Sequence, residues 1–383
     1  MTRAVYINGV AAFLPGDPVP NEEMEERLGR INGQASRARG VVLRSNGIRY
    51  RHYVIDPETG RPRWNNAQLT AEAVRGLYAR PEAMSSIETL ACGTSIADQL
   101  MPSHAVMVQG ELGIPPCDVV GTSGVCAASM GALRYAWLSV LAGGSDHAVA
   151  TGSEVASTMM QARMFQAESE ERIEALEQNP EIAFDREFLR WMLSDGAGAV
   201  RLGSTPDPDG FGLRVDWLEI LSYAGEMPPC MYAGAEKTED GRLLGWREID
   251  DLGELVASGV LTVKQDVRLL NEAVVRVTVE QAMEELQRRH TISADDVDWF
   301  LPHISSEYFR ERLAKGLENA GLPIPAERWF TNLSERGNTG SASLFIMLDD
   351  LVKSGRLKSG ERILCFVPES GRFTSAWLQL TVA

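Results

Sequence analysis

One cysteine of the five stands in an unusual setting. In Gly121-Thr122-Ser123-Gly124-Val125-Cys126-Ala127-Ala128-Ser129-Met130-Gly131 nearly every neighbour of Cys126 is small. Small residues let a backbone turn sharply from strand to helix and let a substrate approach, and a helix N-terminus favours a thiolate. Cys126 is therefore expected to be a nucleophile with a lowered pKa, whereas Cys92, Cys117, Cys230 and Cys365 read as small buried hydrophobic residues. His303 follows the apolar run Trp299-Phe300-Leu301-Pro302 and precedes a helical pattern over 305–317. That is a strand-to-helix turn, where ligands of α/β folds bind. Asn338 lies in Gly337-Asn338-Thr339-Gly340-Ser341, a second small-residue turn, although Gly-Asn is also an ordinary helix-cap signature. Alone, His303 or Asn338 is ambiguous. Together with Cys126 they supply a thiolate nucleophile and two neutral donors that can stabilise an enolate.

The elements that must position these residues alternate along the chain. Short apolar runs at 4–14, 86–92, 118–121, 147–152, 198–202, 299–303 and 362–367 predict buried strands separated by helical patterns, hence a layered α/β fold. Two distant stretches share one plan. From Cys126 a small-residue run becomes an apolar helix, stops at Gly143-Gly144, turns through Ser145-Asp146 and enters the strand at His147. From Asn338 a similar run becomes a helix, stops at Gly355 and enters the strand at Ile363. This predicts a duplicated fold with pseudo-twofold symmetry, the two helix N-termini meeting near one site. Between Met159 and Arg190 a charged helical pattern, broken at Pro180, reads as an insertion over a surface or cleft.

Composition narrows the function classes. A chain of 383 residues with 44% hydrophobic and 23% charged residues is ordinary for a globular protein. Its net charge of −16 disfavours nucleic acid and anionic membrane surfaces as partners. The cysteines are odd in number and form no C-x-x-C, so neither a disulfide framework nor a metal site is expected and a reducing cytoplasm fits. Pro15 and Pro18 interrupt the apolar start before a secretory signal could form, and no run is long enough to span a membrane.

Six motifs, in order, resemble the thiolase superfamily and within it β-ketoacyl-acyl-carrier-protein synthase III. Arg44-Ser45-Asn46-Gly47-Ile48 is similar to the family's Arg-Thr-Gly-Ile segment, and Gly93-Thr94-Ser95 with Pro102-Ser103 to its Thr-Ser…Pro-Ser pattern. Gly124-Val125-Cys126-Ala127-Ala128 matches the cysteine loop, Ser194-Asp195-Gly196-Ala197-Gly198-Ala199 the Gly-Asp-Gly-Ala-Gly-Ala strand, Leu301-Pro302-His303 the Val-Pro-His motif and Gly337-Asn338-Thr339 the Gly-Asn-Thr motif. The resemblance implies an α/β thiolase fold, a duplicated five-layer αβαβα architecture. Its N-terminal half, 1–200, would carry the nucleophile and an insertion at about 159–190, and its C-terminal half, 201–383, the His and Asn.

The resemblance makes Cys126 the residue that takes an acyl group from a thioester, and His303 and Asn338 the donors to the second substrate's thioester carbonyl. The backbone N–H groups of Cys126 and Gly371 would form the oxyanion hole, although the family's Gly-Gly-Gly run is here Glu369-Ser370-Gly371. It implies no cofactor and no metal, acyl and β-ketoacyl thioesters of acyl carrier protein or coenzyme A as substrates, and a homodimer paired through His147–Gly152. Arg310, Arg312 and Lys315 would dock an acidic carrier protein, unless they pair with Glu307, Glu311 and Glu318 on a solvated face. The adenine-stacking tryptophan of coenzyme-A-primed relatives has no aromatic counterpart in residues 38–43, and Met101 stands where head-to-head condensing relatives carry a glutamate. Within the family, the opening strand, the insertion and Phe188-Leu189-Arg190-Trp191-Met192-Leu193-Ser194 most resemble the ketosynthase/cyclases of dialkylresorcinol and stilbene-type biosynthesis. Such enzymes join a β-ketoacyl thioester to a second acyl thioester and close a cyclohexanedione ring. An ordinary chain-initiating synthase, acyl transfer to oxygen or nitrogen, and a silent thiolase-like subunit are the alternatives, the last opposed by the retained Cys126, His303 and Asn338.

Overall fold

The computed structural model describes residues 3–36, 39–165, 188–207, 211–251, 253 and 259–383. Nine strands form the main sheet: β1 (Tyr6–Phe13), β2 (Thr89–Thr94), β3 (Asp118–Ser123), β4 (His147–Glu154), β5 (Gly196–Gly203), β6 (Leu213–Ser222), β7 (Trp299–Pro302), β8 (Arg362–Glu369) and β9 (Thr374–Val382). Their order is β7-β8-β9-β6-β1-β5-β4-β2-β3. Seven of the expected apolar runs fall on these strands. Where the sequence reading placed a break at 200/201, the chain continues through β5, paired to β1 and β4 up to Gly203.

The link between the two groups of strands is slight. β1 meets β6 only through Tyr6–Arg214 and Ile7–Leu213, whereas β1 pairs with β5 and β9 with β6 along most of their lengths. Two apolar helices, α3 (Ala128–Ala142) and α7 (Ser343–Lys353), pack on the group that holds β1. α3 lies on β4 and β2, α7 on β1 and β5. Met130, Leu133, Ala136 and Val140 of α3 share one fully buried cluster with Phe345, Leu348 and Leu351 of α7 and with Ala148, Ala150 and Val200 of the strands. Burial of about ten such side chains, each worth on the order of 1.5–3 kcal/mol for the larger ones, ties the starts of both helices to one place.

Those starts converge at Gly152 of β4. A Cβ there would stand 2.4 Å from the Ser341 carbonyl oxygen and 2.6 Å from the Ser129 Cβ, so only glycine admits both helix beginnings. The expectation that two helix N-termini meet near one site is thereby met.

The strand His147–Gly152 corrects one expectation. β4 is hydrogen-bonded on both edges, to β2 and to β5, and has no free edge for a second copy of the chain. The sheet ends in β7 on one side and on the other in β3, the strand that leads into Cys126.

The remaining helices used below are α1 (Asn66–Arg75), α2 (His104–Leu112), α4 (Val267–Val275), α5 (Ala282–Arg289) and α6 (Arg310–Asn319). α4 and α5 are joined by a π-turn over Arg276–Gln281. In the expected insertion, Ser157–Met159 and Ala162–Met164 form single 3-10 turns, and residues 166–187 lie outside the described residues. No helix among the described residues is long and apolar enough to cross a membrane.

Candidate active site

Cys126 occupies the turn between β3 and α3. The turn closes by the Ala128 N–H donating to the Val125 carbonyl at 3.2 Å and by the Thr122 hydroxyl donating to the Ala128 carbonyl at 2.8 Å. A third brace comes from the far end of the chain. One oxygen of Glu369, Oε2, accepts the N–H of Val125 at 2.9 Å and that of Ala127 at 3.1 Å.

His303 directly follows β7, and its N–H donates to the Phe366 carbonyl at 2.8 Å, which extends the β7–β8 ladder by one residue. The residue is 4% exposed and Nε2 has no partner among the described residues. Burial lowers its pKa to about 4, so the imidazole is neutral at neutral pH, the state required of a donor that must not protonate its substrate outright.

Asn338 is held by its backbone. Its N–H donates to the Met192 carbonyl at 3.0 Å and its carbonyl accepts the Ser194 N–H at 2.9 Å, so the residue is stitched to the chain just before β5. Gly337 makes the turn with φ 71°, and a Cβ there would stand 2.8 Å from that of Ser194. The side-chain oxygen of Asn338 accepts the Gly340 N–H at 3.0 Å. The carboxamide NH2 is left as the group that can donate to a ligand.

These three side chains, positioned by β3–α3, by β7 and by the turn before α7, line a single cavity with about 650 Å³ of empty volume. Its far wall is apolar: Leu270, Val274, Val275 and Val279 from α4 and the π-turn, with Leu313 of α6. A π-turn inserts one residue into the helical ladder and is common at functional sites. Here it presents Thr278 and Val279 to the cavity, and its Thr278 carbonyl is met by the Ser375 hydroxyl at 2.5 Å. Leu189 and Met192 of the segment singled out in the sequence also form part of the wall.

The electrostatics reverse one expectation. Burial first, then the carboxylates of Glu369 and Glu154, push the Cys126 thiol up rather than down. The helix N-terminus that should favour the thiolate faces Glu369, which takes up the amides flanking the cysteine. Glu154, at the end of β4, is itself raised to about 7 because it is buried, even though one oxygen accepts Ser95 N–H, Ser95 Oγ–H and Ser341 N–H. Neither glutamate was singled out from the sequence as part of the site. For Glu369 a signal existed, since it replaces a glycine of the motif; for Glu154 and the π-turn nothing local marked them.

Gly371 lies against the cysteine loop, where a Cβ would be 3.0 Å from a methyl of Val125, but the cavity wall in that segment is made by Pro368 and Ser370. The three basic residues of α6 are engaged at home. Arg310 pairs with Glu307 and Lys315 with Glu318 at 2.8 Å, while Arg312 stacks on Tyr308 and donates to the Asn271 carbonyl. Cys92, Cys230 and Cys365 are fully buried and Cys117 partly so.

Against known proteins, residues 287–376 match the family described as 3-Oxoacyl-[acyl-carrier-protein (ACP)] synthase III C terminal. Beta-ketoacyl-[acyl-carrier-protein] synthase III of Sphingopyxis alaskensis is 26% identical over 368 residues, 95% of this chain and 95% of that protein. The crystal structure of 3-oxoacyl-(acyl carrier protein) synthase III from Pseudomonas aeruginosa PAO1 superposes with a TM-score of 0.71 at 19% identity, covering 99% of this chain and 98% of that one. The chain has the thiolase fold. OleA of Xanthomonas campestris, solved with lauric acid and lauroyl-CoA bound, shares that thiolase fold with a TM-score of 0.74 at 21% identity and full coverage of both chains. Cys126, His303 and Asn338 thus sit in a thiolase fold with synthase III likeness along nearly the whole chain.

Proposed function

We propose that this protein is a synthase III-like ketosynthase that forms carbon–carbon bonds between acyl thioesters through an acyl-Cys126 intermediate. The observation that carries this reading is the convergence of Cys126, His303 and Asn338 on one largely apolar cavity. The Cys126 sulfur attacks the thioester carbonyl carbon, the new C–S bond forms, and the carrier's thiol leaves with the proton that the cysteine gives up. The N–H groups of Cys126 and Gly371 receive the oxyanion of that step; such a donor is worth roughly 10²–10³ in rate. A second thioester then places its carbonyl against His303 Nε2 and Asn338 Nδ2. Its α-carbon gives up a proton, attacks the acyl-Cys126 carbonyl and expels the cysteine sulfur, which ends as the thiol, so the proton lost at carbon is balanced by the one gained at sulfur.

We infer further that the second substrate is a β-ketoacyl thioester, whose α-carbon lies between two carbonyls and needs no decarboxylation, and that ring closure to a cyclohexanedione of the dialkylresorcinol type follows. The Phe188–Ser194 segment in the cavity wall supports this. Carrier-protein and coenzyme A thioesters both fit, and Arg312, which faces no carboxylate among the described residues, is the basic residue proposed to guide a carrier, with Arg310 and Lys315 released from their glutamates to join it. The working form is proposed to be a homodimer of two similar-halved chains, with the second copy on the edge of β3 beside exposed Leu100 and Met101. The test is to load the protein with a medium-chain acyl thioester, add a β-ketoacyl thioester or, in parallel, malonyl carrier protein, and analyse the products by mass. A cyclised diketone supports the full reading, a linear β-ketoacyl product from malonyl carrier protein supports a chain-initiating synthase instead, and transfer to an alcohol or amine removes condensation.

A further inference from the structure

Both hydrogen bonds from the nucleophile's loop to Glu369 fall on the same oxygen, Oε2, and their donors are the residues on either side of Cys126. A single acceptor therefore straddles the nucleophile. The amide between the two, that of Cys126, donates to no other residue among the described ones. The carboxylate is fitted between glycines: a Cβ on Gly124 would stand 3.0 Å from Oε2, and one on Gly371 3.4 Å from Oε1. The charges acting on the sulfur come from Glu369 at the end of β8 and Glu154 at the end of β4; His303, after β7, is neutral, Asn338 carries no charge, and no lysine or arginine is among these groups.

We propose that Glu369 is a positioning residue for Cys126: it fixes the loop by the two flanking amides, reserves the Cys126 amide for the substrate's carbonyl oxygen, and by its negative charge opposes formation of a thiolate in the empty site. The second of these roles rests on Cys126 being the acylated nucleophile; the first and third do not. The burial and carboxylates that raise the thiol agree with the third. A cysteine that substrate must reach is thereby shielded from alkylating agents and peroxide, which react with the thiolate rather than the thiol.

The test uses iodoacetamide on the full chain, with the alkylation rate of Cys126 followed from pH 6 to 10 by peptide mass mapping. Because one oxygen takes both bonds, the carboxamide oxygen of Glu369→Gln can keep the clamp while the charge is removed. The rate midpoint of Glu369→Gln is expected about one pH unit or more below the parent's, with alkylation about tenfold faster at neutral pH. Glu369→Asp, which keeps the charge, is expected not to accelerate. Superimposable profiles of parent and Glu369→Gln overturn the proposal. Should Glu369→Gln fail to fold, Glu369→Gly, which also removes the charge, takes its place: an alkylation profile displaced to lower pH than the parent's upholds the proposal and one superimposable on it overturns it. No thioester enters the experiment, so its outcome is separate from whether Cys126 accepts an acyl group.

Discussion

Gly93 on β2 faces the Ala128 carbonyl oxygen so closely that a Cβ on the glycine would stand 2.4 Å from it. The first turn of α3, and with it the cysteine loop, is seated directly on this strand. Gly93→Ala must push back backbone rather than a flexible side chain. The expected cost is at least the ~1–3 kcal/mol of ordinary overpacking, with loss of Cys126 acylation well beyond the loss of folded protein. Thermal melting together with acylation per folded molecule checks this; unchanged acylation would mean that the loop is not placed by β2.

The two donors act at different steps from the nucleophile. His303→Ala and Asn338→Ala are expected to acylate at Cys126 yet to lose condensation by a hundredfold or more, in line with the loss of an oxyanion-type donor. Circular dichroism shows whether they fold. Folded variants that cannot be acylated would instead assign these residues to activation of the thiol.

Chain length is expected to follow the wall made by α4 and the π-turn. Val279→Phe enlarges a side chain of the wall that also holds Leu270 and Leu313 and should slow acylation by a long-chain thioester at least tenfold while leaving an acetyl thioester nearly untouched. Competition between the two thioesters, read by intact mass, measures it. Equal slowing of both would place the acyl chain elsewhere.

Glu154 makes stability depend on pH with a definite sign. Its carboxyl is raised to about 7 from an ordinary value near 4.5, so the folded state holds a proton that the unfolded state has released between these values. Its contribution is present in full below pH 4.5 and is lost as pH rises to 7. His303 and His104, both lowered to about 4 by burial, act oppositely: the unfolded state binds the proton first, and stability falls as pH drops from 6.5 to 4. Glu154→Gln, whose amide oxygen can accept the same three bonds, should remove the first slope and leave the second. Melting temperatures from pH 4.5 to 7.5 should then rise more steeply in the variant than in the parent; parallel curves would contradict the assignment.

Much of this site could be read from residue order, because its parts are local. A small-residue turn before an apolar helix at Cys126, a strand-to-helix turn at His303 and a Gly-Asn turn at Asn338 are each specified by a few consecutive residues, and the fold brings these together as the duplicated plan implied. What escaped depends on pairs remote in sequence. Glu369 reaches Val125 across 244 positions, and burial of the cysteine, with the Glu369 charge added to it, reverses the effect expected of the helix N-terminus on the thiol. The expectation placed on His147–Gly152 failed for a related reason. The run reads as buried on both faces because it is central in the sheet, and β3, whose faces are half exposed, reads weakly because it lies at an edge.

The central claim is that Cys126 carries the acyl group, and intact-protein mass spectrometry after incubation with an acyl thioester tests it most directly. The parent is expected to gain one acyl mass, mapped to the peptide holding Cys126, while Cys126→Ala gains none and Cys117→Ala and Cys230→Ala acylate as the parent does. Acylation that persists in Cys126→Ala would contradict the account.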